Sequence, residues 1–258
     1  MKGFIKFLIL PCVVLMISAC TDLDEQLKGD VTTDIKIPGL AGGGTSGGDD
    51  ILGAAFAELR NTGTANHGGY YSVQSIPSDE MCIAAKGGDW FDGGILVELH
   101  RHTYTPTHAF ITGTFNGSYG AINTCNELIS KGGLDANQVA QVRALRAYFY
   151  MRLCDLYGNV KIVTSPGVDA PQSSRADVFK FVESELLAAI GVSEIKQGMV
   201  INSPLGTAAN ANRINVYGAL GIIAKLYLNA EVYTGTKMYD KAAAAAGYVI
   251  DSGVYRLC

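Results

Sequence analysis

Apolar residues recur along most of this chain at helical spacing. The clearest run covers residues 137–157, where Val142, Leu145, Phe149, Leu153 and Leu156 fall at i, i+3, i+7, i+11 and i+14 and draw a single stripe. Asp135 with Gln138 has the form of a capping box, and Gly158 suits the position just past the helix end. Val178, Val182, Leu186 and Ile190 predict a second helix over 176–190. Shorter patterns predict helices over 51–60 (Leu52, Ala55, Phe56, Leu59) and 119–130 (Ile122, Asn126, Ile129). Residues 213–233 and 239–250 read as a helical hairpin around Thr234-Gly235-Thr236, with Ala242, Ala246, Val249 and Ile250 on the packing stripe of its second arm. Residues 63–112, rich in Gly, Tyr and His, lack this period and read as loops with short extended segments. The predicted fold class is therefore mostly α, built of tetratricopeptide-like helical hairpins with an inserted loop-rich region. Each hairpin has too little core alone and buries its face on the next, although the periods are irregular and no consensus repeat recurs.

The N-terminus carries a different pattern. Lys2 and Lys6 precede the unbroken apolar run 7–17, whose eleven residues would span only about 16 Å of helix, half a bilayer core. A basic start, a short apolar stretch and a small-residue exit describe a signal peptide over 1–19. The exit, Ile17-Ser18-Ala19-Cys20, has the form of a lipobox, with the Cys20 thiol as the nucleophile that takes up the lipid. Residues 20–50 then form a lipidated tether, beginning with the acidic stretch Thr21-Asp22-Leu23-Asp24-Glu25 that suits surface display. Gly42 to Gly47 matches GxGxxG in letters only. No strand precedes it, so it reads as a flexible linker rather than a dinucleotide site. The helical domain is expected over 51–258.

Charge and cysteine content narrow the function. Without Lys2 and Lys6 the chain keeps 18 basic against 24 acidic residues, a net charge of −6, which argues against a nucleic-acid partner. Cys82, Cys125, Cys154 and Cys258 show no CxxC or other metal-like spacing. They are expected as small buried fillers, although an exported compartment permits a disulfide.

Several segments together resemble the SusD/RagB family of nutrient-binding lipoproteins. Arg143-Ala144-Leu145-Arg146-Ala147-Tyr148-Phe149-Tyr150, running on to Leu156-Tyr157-Gly158-Asn159-Val160, resembles its signature. So do Ala224-Lys225-Leu226-Tyr227-Leu228-Asn229-Ala230 with Tyr239, and Val249-Ile250-Asp251-Ser252-Gly253-Val254-Tyr255. Asp79-Glu80, the stretch from Gly87 to Gly94, and Leu99-His100-Arg101-His102-Thr103 resemble the family's N-terminal loop. Asn159 and Lys161 stand where the family often has Asp and Pro, and Ala85 and Lys86 where it often has polar residues and Arg. The resemblance implies a helical, tetratricopeptide-like fold and a lipid-anchored position in the outer membrane, facing outward. It also implies capture of glycans or other nutrients for a TonB-dependent barrel. Family members are far longer, so it further implies an N-terminal portion, incomplete at the C-terminus.

Trp90 is the only tryptophan and lies between Asp89 and Asp92, beside Phe91, in a Gly-rich stretch. Sugar rings present C–H faces that stack on aromatic rings, while their hydroxyls need carboxylate or amide partners. Trp90, Phe91, Asp89 and Asp92 are therefore the primary candidate ligand-binding residues, with Tyr70 and Tyr71 behind them; the competing reading has Trp90 pin its loop to the core. His100 and His102, side by side on a strand, would suit a metal pair. With His108 they still lack a Glu or Cys at matching spacing, so no metal is expected. Asp79-Glu80 point apart and make no dyad. No HExxH, GxSxG or P-loop lysine motif occurs, and neither an enzyme nor a cofactor is expected. Two functions follow: a glycan or nutrient binder serving an importer, or a helical scaffold (or inactive fragment) that contacts protein alone.

Overall fold

In the computed structural model, residues 50–63, 67–82, 88–209 and 213–255 are described. The signal peptide, Cys20, the tether, Ala85, Lys86, Gly87 and Cys258 lie outside them.

The chain is mostly helical. The helices are α1 (Asp50–Thr62), α2 (Tyr70–Ser75), α3 (Ile95–His100), α4 (Ala109–Lys131), α5 (Ala136–Leu156), α6 (Arg175–Ile190), α7 (Val216–Leu228), α8 (Ala230–Thr234) and α9 (Tyr239–Asp251). Two two-residue strands, β1 (Val160–Lys161) and β2 (Gln172–Ser173), form an antiparallel ladder between α5 and α6. Packing runs in sequence order: α1 on α4, α4 on α5, α5 on α6, α6 on α7 and α8, and α7 on α9. One continuous apolar core follows this stack from Leu52 to Ala245.

Local chemistry sets the helix ends. Asp135 Oδ1 accepts from Gln138 N at 2.8 Å and Gln138 Oε1 accepts from Asp135 N at 3.0 Å, so the capping box is complete. Gly158, at φ +74°, returns its N–H to the Leu153 carbonyl past the other end. Ser174 and Asn215 cap α6 and α7 in the same manner.

Several expectations need correction. The stripe on α5 is buried from Val142 to Leu153, with Leu156 half-buried, yet residues on its other faces are buried too, Arg146, Tyr150 and Arg152 included. α5 is the middle layer, covered by α1, α4, α6 and α7, so a stripe described only half of its surroundings. The described residues of the 63–112 stretch hold short helices where extended segments were expected, and α4 begins at Ala109, ten residues earlier than its apolar pattern. Its first half, Ala109 to Tyr119, is poor in strong helix formers; packing on α1 and α2 and the His108 cap outweigh that propensity. The expected 213–233 helix starts at Val216 and breaks at Asn229. On α9 the buried positions are Ala242 and Ala245, while Ile250 is 74% exposed. Among the cysteines, Cys125 and Cys154 are free and buried as expected, but Cys82 is exposed.

Candidate functional site

The loop-rich region has a small core of its own. Ile76, Leu96 and Leu99 are buried together, with Met81, Ile95, Phe110 and Ile111 around them. Leu96 and Leu99 fix α3 from below, and the turn that carries Trp90 leads directly into that helix.

This turn is conformationally strained. Trp90 (φ +61°), Asp92 (+43°), Gly93 (+68°) and Gly94 (+92°) occupy the left-handed region within five residues. Glycine adopts it freely, but a bulky tryptophan does so at a cost of about 1–2 kcal/mol. The outcome is display: Trp90 is 47% and Phe91 50% exposed, with Asp89 and Asp92 also at the surface.

Trp90 is not isolated. Its ring lies 5.8 Å from that of exposed His67 at an interplanar angle of 77°, and His67 lies 5.9 Å from Phe110 at the same angle. Edge-to-face contacts at these distances are favourable for aromatic pairs. The row continues through His108, Tyr104 and His102. His108 is buried; its Nδ1 accepts from Phe110 N as the cap of α4, and its Nε2 donates to the Ile95 carbonyl at 3.0 Å. It thereby ties α3 to the start of α4. His102 Nε2 donates to the Pro77 carbonyl at 2.7 Å.

His100 ends α3 and His102 sits in the following turn at φ +55°, so the side-by-side strand placement does not occur. Among the described residues no cluster of three or more His, Cys, Asp or Glu is arranged to hold a metal ion.

Tyr70 and Tyr71 part company. Tyr71 is exposed, whereas Tyr70 turns inward, its ring 4.5 Å from the Arg152 guanidinium. Tyr148 approaches Arg152 at 4.6 Å, and Arg152 Nη1 donates to Thr62 Oγ1 at 2.9 Å. Burial, reinforced by Tyr148, pushes the Tyr70 hydroxyl up to about 12. Sequence reasoning passed over His67 and Phe110; the Gly68-Gly69 turn and the α4 start bring them to Trp90, and no period in the sequence announces that.

An exposed aromatic pair flanked by carboxylates and backed by further rings is what a sugar ring needs for stacking and hydroxyl pairing. No family model matches the chain. The starch-binding protein SusD of Bacteroides thetaiotaomicron is 27% identical over 249 residues, covering 92% of this chain and 41% of that protein. A SusD superfamily protein of the same organism superposes with TM-score 0.61 at 20% identity, covering 81% of this chain and 48% of the other. The chain is SusD-like. A laminarin-binding SusD-like protein (TM-score 0.58, 22% identity, 77% and 42% covered) shares this fold. So does surface glycan-binding protein A of Bacteroides fluxus (0.61, 18%, 81% and 44%). The chain spans about two fifths of the length of the curated relative it matches.

In this SusD-like chain the signature around Arg143 does structural work. Arg146 and Arg143 both donate to Glu185 of α6, and Arg146 Nη1 also donates to Asn126 Oδ1 of α4 at 2.9 Å. Tyr150 donates from its hydroxyl to the Val163 carbonyl and accepts from Val163 N, at 3.0 and 2.7 Å, holding the segment after β1 against α5. Asn159 Oδ1 accepts from Arg175 N at 2.8 Å and steadies the start of α6.

Proposed function

We propose that this chain belongs to a glycan-binding lipoprotein of the outer membrane, anchored through Cys20 and facing outward. It captures oligosaccharide on the Trp90 turn, with Phe91, Asp89 and Asp92 as contacts and Tyr71 nearby, while Tyr70 supports the surface from inside. It then passes the ligand to a TonB-dependent barrel and carries out no catalysis. The observation that carries this reading is the exposed Trp90–Phe91 pair on a strained turn between two carboxylates. Proteins are expected to retain such strain where it serves a function. The starch-binding and glycan-binding relatives support carbohydrate as the ligand class. Among the described residues no helix is long and apolar enough to cross a membrane.

Affinity electrophoresis through gels containing starch, laminarin, xylan or mannan tests the reading. At least one polysaccharide is expected to retard the protein, and Trp90→Ala should abolish the retardation with the helical circular dichroism unchanged. Retardation that survives Trp90→Ala, or none in any gel, overturns it.

A further inference from the structure

Behind the aromatic turn, α1 and α4 leave a cavity of about 190 Å³. Phe110, Ala109 and Gly113 of α4 form one wall, Asn61 and Thr62 of α1 another, and Gly68 and Gly69 the approach from His67. Its size falls below the roughly 300 Å³ at which pockets for drug-sized molecules begin, so it admits one small unit and excludes a chain. The glycines keep it open: a Cβ on Gly68 would stand 2.9 Å from the Phe110 ring, and one on Gly117 3.2 Å from Thr62. Its described lining is uncharged. It joins one aromatic ring, the Thr62 and Thr114 hydroxyls, both already bonded within the protein, and the Asn61 amide, which has no hydrogen-bond partner among the described residues. A ring beside an unused amide matches the C–H face and paired hydroxyls of a neutral sugar. A uronate or sulfated unit would find no counter-charge among these side chains.

The His67 ring lies between this cavity and Trp90, in edge-to-face contact with both Phe110 and Trp90. We infer that the cavity is a second subsite taking a single neutral sugar unit, at a chain end or branch, while the rest of the glycan lies across Trp90. This rests on the glycan-binding reading and adds selection for chain ends and branches over the interior of a linear polymer.

Gly113 provides a clean test. Gly113 lines the cavity, and a Cβ there meets nothing within 4 Å, so Gly113→Ala and Gly113→Leu add bulk at its wall without a clash. Saturation-transfer NMR on the full chain is run with free glucose, galactose, mannose, xylose and N-acetylglucosamine. At least one should receive transfer, reduced several-fold by Asn61→Ala and lost in Gly113→Leu, but retained in Trp90→Ala. Should Gly113→Leu misfold by circular dichroism, Gly113→Ala decides, with an expected loss of several-fold. Transfer to no sugar, or transfer indifferent to a folded Gly113 variant, overturns the subsite. Polysaccharide binding lost in Trp90→Ala yet untouched by Gly113→Leu would sink this inference alone and leave the broader reading standing.

Discussion

Glu185 accepts from Arg146 Nη2 at 2.5 Å and Nε at 2.9 Å, and from Arg143 Nη2 at 2.7 Å, with only 4% of its side chain exposed. One carboxylate thus joins α6 to two turns of α5, and Asn126 takes up a further donor of Arg146. Removing one partner of such a group leaves charge buried without compensation. Glu185→Ala should therefore cost about 3–5 kcal/mol in a urea titration. Replacing Arg146 and Glu185 together by apolar residues of like volume should cost less than Glu185→Ala alone. A loss below about 1 kcal/mol for the single variant would show that water reaches this cluster.

The buried thiols and phenols set an alkaline limit. Thiols titrate near 9.0 and phenols near 10.0 in the unfolded chain. Burial lifts Cys125 to about 12, Cys154 to about 11, and Tyr70 and Tyr150 to about 12. Below pH 9 both states hold these protons and stability is unaffected by them. Above it the unfolded chain releases them first, so stability falls as pH rises from 9 towards 12. The melting temperature should be flat from pH 7.5 to 8.5 and drop steadily beyond 9. In the same range, alkylation mapped by mass spectrometry should reach Cys82 quickly and Cys125 and Cys154 only on unfolding. Equal labelling of all three in the native protein would contradict the burial.

Much of this architecture is legible in the sequence because helices announce themselves by period and cap. Val142 to Leu153, the Asp135–Gln138 box and Gly158 needed no coordinates. Less legible was why Arg143, Arg146 and Tyr150 stand in the same helix: their partners Glu185, Asn126 and Val163 lie 13 to 42 residues away. The candidate site is legible only in part. Trp90 stood out as a lone tryptophan among glycines and carboxylates, but His67 and Phe110 join it only because the insert folds into helices rather than extended chain. Tyr70 and Tyr71, adjacent in sequence, differ on α2, the first half-buried on Arg152 and the second exposed, a distinction that a segment read as loop cannot supply.

The proposed lipid anchor is tested independently of the fold. Ile17-Ser18-Ala19-Cys20 presents small residues and then a thiol at the end of the apolar run. Expressed in a bacterial host with labelled palmitate, the chain should incorporate label and sediment with membranes, and Cys20→Ser should do neither. Label retained by the variant would remove Cys20 as the attachment point.

Trp90 distinguishes a displayed residue from a packing one by the size of its effect on stability. A tryptophan that pins its loop to a core contributes buried area, and truncating it would cost about 3–5 kcal/mol. Here about half of the residue is exposed, and the backbone stands at φ +61°, where a large side chain is disfavoured by about 1–2 kcal/mol and glycine is not. Trp90→Gly removes the strain together with the ring, so the effects oppose each other: the burial of about half the residue and the contact with His67, worth about 0.5–1.5 kcal/mol beyond that burial, against strain relieved. The extra freedom of glycine in the unfolded chain subtracts up to about 1 kcal/mol. The variant should therefore lose no more than about 2 kcal/mol, short of the about 3–5 kcal/mol expected of a packing tryptophan. Its affinity for any polysaccharide that retards the parent should fall at least tenfold. Destabilisation beyond about 2 kcal/mol, or unchanged retardation in the gel, would make Trp90 a structural residue and move the ligand surface elsewhere.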